Sequence, residues 1–141
     1  MISGREDIIQ YIPQRDPMIL VHQLLEFSNN HVISGFDVEE AHVLVSNGTL
    51  TEAGLLENMA QTAALGKGYE FALKNKKPPL GFIGAVKAFK VSRLPKVGMQ
   101  IKTHLELKHE VLNASIVSTR VMENSEEIAS CELKIFINPD I

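Results

Sequence analysis

The residue best suited to chemistry is Glu57, which stands in the apolar segment LLENMAQTAAL. An ionised carboxylate in such surroundings is costly unless it has a partner or a proton. Asn58 is adjacent, and Gln61 follows four residues after Glu57, which places Gln61 on the same face of a helix. A glutamate held among apolar side chains suits a general acid near neutral pH. The alternative is that Glu57 lies on the one solvated face of the helix and does no chemistry.

A second candidate feature is a run of basic residues with no acid among them. Its members fall within ten residues of a chain whose net charge is −3, and they are Lys87, Lys90, Arg93 and Lys96. One interpretation is a solvated strand face. The other is a docking surface for an acidic carrier protein, where electrostatic attraction would speed the encounter.

Composition excludes several classes of function. A chain of 141 residues that is 45% hydrophobic suits one domain, residues 1–141, and a net charge of −3 predicts no nucleic-acid partner. Neither the metal-binding spacings HxxxH and CxxC nor a run of about 18 apolar residues occurs, so we expect no metal and no membrane span. Cys131 is the single cysteine, which predicts a packing role in a reducing compartment, and we expect a cytoplasmic protein.

One long helix must position Glu57. Thr49 and Glu52 have the spacing of a capping box, which predicts a helix start there. The stretch 50–65 is apolar on almost every face, so this helix should be buried on all sides, and polarity returns only at Lys67. Gly66 and Gly68 are predicted to be points of close packing against a sheet.

Strands surround this helix in the sequence. A short helix over 5–12 precedes a strand over 18–27, a tight turn at Asn29-Asn30 and a second strand over 31–38. Four partly alternating runs follow the long helix: GFIGAVKAFKV, MQIKTHLELKH, NASIVSTRVM and IASCELKIFIN. The prediction is an α+β fold whose antiparallel sheet wraps one central helix. Such a sheet leaves an exposed edge, which dimerisation would cover.

Three segments in this order resemble the FabA/FabZ family of 3-hydroxyacyl-[acyl carrier protein] dehydratases. IPQRDPMILVHQLLEF is similar to the family's opening motif, LLENMAQTAAL to its central-helix motif, and FIGAVKAFKVSRLPKVGMQI to the strand after that helix. The segment before the helix looks more like the divergent dehydratase-like proteins of aryl polyene pathways. The resemblance implies a hotdog fold, a homodimer with its site at the interface, and acyl thioesters of acyl carrier protein or coenzyme A as substrates, with no cofactor.

The resemblance also implies roles for individual residues. EEAHVLVSNG takes the place of the family's G-H-F-P-G segment, so His42 would be the base and Glu57 of the other subunit the acid. Backbone N–H groups around Ala53 and Gly54 would polarise the thioester carbonyl. We predict further substrate contacts at Gln61, Phe82 and Gly84.

The expected reaction is dehydration of a 3-hydroxyacyl thioester to the 2-enoyl thioester. The missing G-H-F-P-G segment leaves two alternatives. One is a hotdog thioesterase in which Glu57 activates water, and the other is a catalytically inactive subunit that relies on an active partner.

Overall fold

The computed structural model describes residues 1–138, so residues 139–141 of the predicted domain lie outside the described part. It is an α+β hotdog fold in which a six-stranded antiparallel sheet, ordered β1-β2-β6-β7-β8-β5, curves around one helix. The elements are β1 (Gln23–Ser28), β2 (His31–Asp37), β3 (Val45–Ser46), β4 (Thr49–Leu50), α1 (Glu52–Leu73), β5 (Leu80–Val91), β6 (Gln100–Val111), β7 (Ala114–Glu123) and β8 (Glu126–Asn138). The fold class predicted from the sequence is confirmed.

The start of α1 differs from the prediction. Its N-cap is Thr51, whose Oγ1 accepts a hydrogen bond from the Gly54 N–H at 3.2 Å, so the proposed capping box of Thr49 and Glu52 is wrong. Thr49 instead pairs with Ser46 in the small β3–β4 hairpin. Its turn residues, Asn47 and Gly48, both have positive φ, as a tight hairpin turn requires.

One side of α1 packs on the sheet and the other side does not. Leu55, Met59 and Leu65 are fully buried, and the absence of a side chain at Gly66 lets Val32 of β2 approach closely. On the opposite side Ala60 and neighbouring alanines stay partly exposed, so a single chain does not bury the helix all round as predicted. Gly68 is also a point of close packing, but against the backbone of Tyr11 rather than the sheet.

The N-terminal part is less regular than predicted. Only Ile8–Gln10 form a helix, a single 3-10 turn, and β1 begins at Gln23 rather than at residue 18. The hairpin through Asn29 and Asn30 is confirmed. His22 still donates its N–H to the Gly35 carbonyl of β2, whereas the backbone groups of Met18, Ile19 and Leu20 bond to side chains.

β5 forms an edge of the sheet. Phe82, Ile83 and Val86 along it are 51%, 39% and 41% exposed. A register shift between Lys87 and Lys90, with Ala88 at positive φ, adds a bulge to this edge. Such an apolar edge is the surface that dimerisation would cover, and the dimer itself stays a prediction.

The interior holds the single cysteine. Cys131 is buried and contacts Thr119 and Met59 through its sulfur, and burial raises the pKa of its thiol. It therefore packs as a small apolar side chain. No helix among residues 1–138 is both long enough and apolar enough to cross a bilayer.

Candidate active site

A cavity of about 850 Å³ lies along the uncovered side of α1. Glu57, Ala60 and Ala63 line it from the helix, and Phe82 and Ile83 line it from the edge strand β5. Apolar side chains of β6, β7 and β8 form its floor. The carboxylates of Glu57, Glu70 and Glu110 also line it. A cavity of this size, with more apolar than polar lining, suits an extended ligand with an apolar part.

Glu57 is half-buried and held in one orientation. Its Oε1 accepts a hydrogen bond from the Gln61 Nε2 at 3.1 Å, one helical turn further along. Its other oxygen has no protein partner among the described residues. The carboxyl group is thus anchored at one oxygen and free to act at the other.

Two buried amides join α1 to the irregular segment 18–20. Gln61 accepts from the Leu20 N–H and donates to the Met18 carbonyl, both at 2.7 Å, and Asn58 donates to the Leu20 carbonyl at 2.7 Å. Asn58 also accepts from the Thr103 hydroxyl in β6. Both amides are fully buried, and the polar atoms of Gln61 are used within the chain, where it positions Glu57. Its substrate contact stays a prediction that this geometry disfavours.

His42 lies in the loop before β3 and is bonded at both ring nitrogens. Its Nε2 lies 2.9 Å from the Ile19 carbonyl, and its Nδ1 accepts from the Leu44 N–H at 3.0 Å. Leu44 in turn accepts from the N–H and the hydroxyl of Thr51, the N-cap of α1. His42 therefore ties the segment 18–20 to the helix start. Its role as a base stays a prediction that this geometry disfavours, since it leaves no free ring nitrogen.

Of the two backbone donors predicted at the start of α1, those of Ala53 and Gly54, one is bonded within the chain. The Gly54 N–H is occupied by the Thr51 cap, so its role in polarising a thioester carbonyl stays a prediction that this geometry disfavours. Ala53 is exposed, and its N–H has no acceptor among the described residues. That N–H can bind a carbonyl oxygen, and the positive end of the helix dipole would strengthen the bond.

The two substrate contacts predicted on β5, at Phe82 and Gly84, lie in different surroundings. Phe82 lines the same cavity as Glu57. Gly84 does not, because the ring of Phe136 packs across it and occupies the space that a side chain would need. The absence of a side chain at Gly84 thus serves packing, and its substrate contact stays a prediction that this geometry disfavours.

The four residues of the basic run differ in whether an acid compensates their charge. Arg93 donates to Glu123 at 2.9 Å and to Glu126 at 2.7 Å, so its charge is compensated within the chain. Because of the bulge at Ala88, Lys87 and Lys90 lie on the same outer face of the sheet, opposite Glu132 and Ser130. Within residues 1–138 no ion pair forms to Lys87, Lys90 or Lys96.

A second titratable cluster lies under the N-terminal segment. His22 is 5% exposed, stacks on Phe36 and accepts from the Asp37 N–H at 3.1 Å. Its Nε2 lies 3.7 Å from Glu39, which forms an ion pair with Arg5. Burial, aided by the charge of Arg5, lowers the pKa of His22 below 6.5.

Comparison with known proteins was made at the level of family, sequence and fold. The model of the ApeP-like family, described as ApeP dehydratase, matches residues 6–141. A search of curated proteins by sequence gave no match. The fold is similar to a chain of the dehydratase heterocomplex ApeI:P from Xenorhabdus doucetiae, with a TM-score of 0.85, 19% identity, and coverage of 94% of this chain and 91% of that one.

Two further structures share the fold at lower similarity. One is a Streptococcus mutans protein bound to acetyl-CoA, with a TM-score of 0.68, 14% identity, and coverage of 83% of this chain and 88% of that one. The other is a hypothetical thioesterase with coenzyme A from Streptococcus pneumoniae, with a TM-score of 0.69, 11% identity, and coverage of 83% and 85%. At these identities the likeness concerns the fold alone.

Proposed function

Because the chain belongs to the ApeP-like dehydratase family, we propose that it takes part in converting a 3-hydroxyacyl thioester to the 2-enoyl thioester. A base removes the α-proton, the electrons form the new double bond, and the 3-hydroxyl group departs. Glu57 donates the proton with which that hydroxyl leaves as water. The reaction needs no redox change and no external reductant.

The observation that carries this proposal is the position of Glu57. Glu57, Glu70 and Glu110 all line the cavity, but Glu70 is paired with Lys67 and Lys74. Gln61 holds one oxygen of Glu57 while the other stays free. A positioned acid of this kind contributes a factor of about 10²–10⁴ to a rate. The cavity walls suit the acyl chain, and Phe82 would contact it.

The thioester carbonyl is assigned to the start of α1. In this proposal the exposed N–H of Ala53 binds the carbonyl oxygen and stabilises the negative charge that develops there when the α-proton leaves. Glu57 lies four residues later, one helical turn along, which suits an acid that acts on the carbon two bonds beyond the carbonyl.

The proposal extends to partners. Acyl carrier protein or coenzyme A would present the substrate, and Lys87, Lys90 and Lys96 are the charges left to attract an acidic carrier. Relatives of the fold bind acetyl-CoA or coenzyme A, and the ApeI:P relative is a heterocomplex, which supports thioester ligands and assembly with another chain. We place the reaction in the cytoplasm, where a buried free thiol such as Cys131 stays reduced.

The test compares wild type with Glu57→Gln on a 3-hydroxyacyl thioester, with and without imidazole as an added base. Formation of the conjugated enoyl thioester is followed by absorbance, and free thiol is measured in parallel. We expect enoyl product in at least one condition and a loss of about 10²-fold or more in the variant. Glu52→Gln, on the exposed first turn of the same helix, is the matched control and should keep full activity. No enoyl product under any condition would contradict the proposal.

Thioester hydrolysis is the second candidate. It is favoured by the absence of the family's histidine segment, since a carboxylate alone can activate water, and by the thioesterase-like relative. Release of free thiol that depends on Glu57, without enoyl product, would select hydrolysis over dehydration.

A further inference from the structure

Three large apolar side chains project into solvent near the C-terminal end of α1. Leu112, in the two-residue turn between β6 and β7, is 96% exposed, and its neighbour Val111 is 66% exposed. Leu73, the last residue of α1, is 61% exposed. None of the three lines the cavity that contains Glu57, so the proposed reaction gives them no task.

The topology brings these side chains to one end of the fold. The segment 74–79 leads from the end of α1 to the start of β5, where Gly81 pairs with Ile137 of β8. The Ile137 N–H in turn donates to the carbonyl of Asn113, the residue after Leu112, at 2.9 Å. Two strand spacings, or about 10 Å, therefore separate the start of β5 from the β6–β7 turn.

Leu112 is an unfavourable residue for its own position. Its φ is +54°, in the left-handed region that leucine rarely adopts and that asparagine or glycine would suit in a two-residue hairpin turn. Its exposed side chain gains nothing from packing within the chain. Neither the backbone nor the solvent favours leucine there, so a contact outside the chain is the physical reason for it.

Two lysines without an ion pair lie beside these apolar side chains. Lys76 and Lys77 are exposed, and neither forms an ion pair within residues 1–138. The helix end fixes their segment, because Asn75 has positive φ and the Lys76 N–H donates to the Phe71 carbonyl at 2.9 Å. Residues 71–105 contain eight lysines or arginines and no acid, although the net charge of the chain is −3.

The nearest acids in the sequence have other contacts. Glu70 lies 3.4 Å from Lys67 and 3.6 Å from Lys74. Glu110 lines the cavity and accepts a hydrogen bond from the Ser115 hydroxyl at 3.3 Å. The charge presented next to Leu73 is therefore the positive charge of the two lysines.

We propose that this end of the fold docks reversibly on a lipid bilayer that contains anionic lipids. The docking surface, called the distal tip, consists of Leu73, Lys76, Lys77, Val111 and Leu112. Lysines are attracted to anionic headgroups, and apolar side chains beside them enter the boundary between headgroups and acyl chains. A protein partner suits the distal tip less well, since lysine is depleted at protein interfaces.

Docking also orients the cavity. Pro78, Pro79 and Leu80 line its end next to the distal tip, so that end would lie against the lipid. The proposal is independent of the reaction, because no residue of the distal tip is assigned to the chemistry.

Vesicle co-sedimentation of the purified chain tests the proposal. The vesicles contain phosphatidylglycerol and phosphatidylcholine in equal parts, or phosphatidylcholine alone. Wild type should bind the anionic vesicles, more weakly as salt is added, and should not bind the neutral ones. We expect Leu112→Asn, and separately the double variant Lys76→Gln/Lys77→Gln, to lose affinity by about tenfold or more. The control Lys87→Gln/Lys90→Gln removes the same two charges from the outer face of the sheet and should change affinity by less than about twofold.

Two further measurements make the result specific. Asparagine tolerates positive φ, so Leu112→Asn should unfold at the same urea concentration as wild type or a higher one. Because the chain has no tryptophan, Val111→Trp provides a single fluorophore whose emission should shift to the blue on anionic vesicles. Val43→Trp is its control, since Val43 is 55% exposed but lies near the start of the helix, which is about 33 Å long. Its emission should not shift.

The contrary outcomes are distinct. Absence of wild-type binding to anionic vesicles, or an unshifted emission of Val111→Trp on them, overturns the proposal. An equal loss of affinity in Lys87→Gln/Lys90→Gln would show attraction by charge in general and overturn the assignment to the distal tip. A wild-type dimer that Leu112→Asn converts to monomer would make the distal tip a contact between chains, which overturns the proposal as well.

Discussion

Replacing Gln61 by methionine should test whether its amide joins α1 to the segment 18–20. Methionine has a similar length and no amide, so the change deletes the bonds to Leu20, Met18 and Glu57 together. The Leu20 N–H is fully buried and would be left without an acceptor, which costs about 1–3 kcal/mol. The Met18 carbonyl and the Glu57 carboxyl are nearer the surface and can turn to water, so their loss adds little.

The expected net effect is a loss of about 2 kcal/mol in the free energy of unfolding. With a urea dependence of about 2 kcal/mol per molar, the midpoint should fall by about 1 M at unchanged slope. Glu57→Gln is the control, because Gln61 can still donate to the new amide oxygen, and its free energy of unfolding should stay within about 0.5 kcal/mol of wild type. Equal midpoints for the two variants would refute the bridging role of Gln61.

Three further outcomes follow from other contacts. Gly68→Ala places a methyl group against the Tyr11 backbone and should lower stability by about 1–3 kcal/mol in urea unfolding. Gly81→Ala makes only ordinary van der Waals contacts, at 3.6 Å and 3.9 Å, and should not; equal effects would contradict the packing account. Arg93→Gln leaves the buried carboxylate of Glu123 without its ion-pair partner and should lower the urea midpoint, whereas Lys96→Gln should leave it unchanged. An unchanged midpoint in Arg93→Gln would show that the ion pair is dispensable for stability. Burial lowers the pKa of His22 below 6.5, so the unfolded chain binds the proton more tightly, and stability should fall as pH drops from 6.5 towards the folded pKa. Urea midpoints measured from about pH 8 to about pH 5, which spans the range in which histidine titrates, should fall less steeply in His22→Asn than in wild type. A wild-type midpoint that rises on acidification would contradict the expected direction.

The hotdog layout was predictable because its signals are local. The Asn29-Asn30 turn, the long apolar helix and the four alternating runs each specify an element from neighbouring residues. The start of α1 was mistaken where two local signals compete. Asn47-Gly48 forms a hairpin turn that uses Thr49 as a strand residue, so the next threonine, Thr51, becomes the cap.

The candidate site depends on distant backbone groups, and these were not predictable. Gln61 bonds to the backbone of Met18 and Leu20, 43 and 41 positions away, and His42 bonds to the backbone of Ile19, 23 positions away. Backbone atoms carry no sequence signal. Arg93 has no acid near it in sequence, yet the turn between β7 and β8 brings Glu123 and Glu126 to it. Glu57 is a candidate from the sequence because a carboxylate in an apolar segment is conspicuous, and the amide of Asn58 carries a similar signal.

The most direct test of the account is the formation of enoyl thioester by wild type and Glu57→Gln under saturating imidazole. The account predicts steady conversion of the 3-hydroxyacyl thioester by wild type and a loss of about 10²-fold or more in the variant, with no free thiol from either. Equal conversion by both proteins, or thiol release in place of enoyl product, would contradict the assignment of Glu57 as the acid of a dehydration.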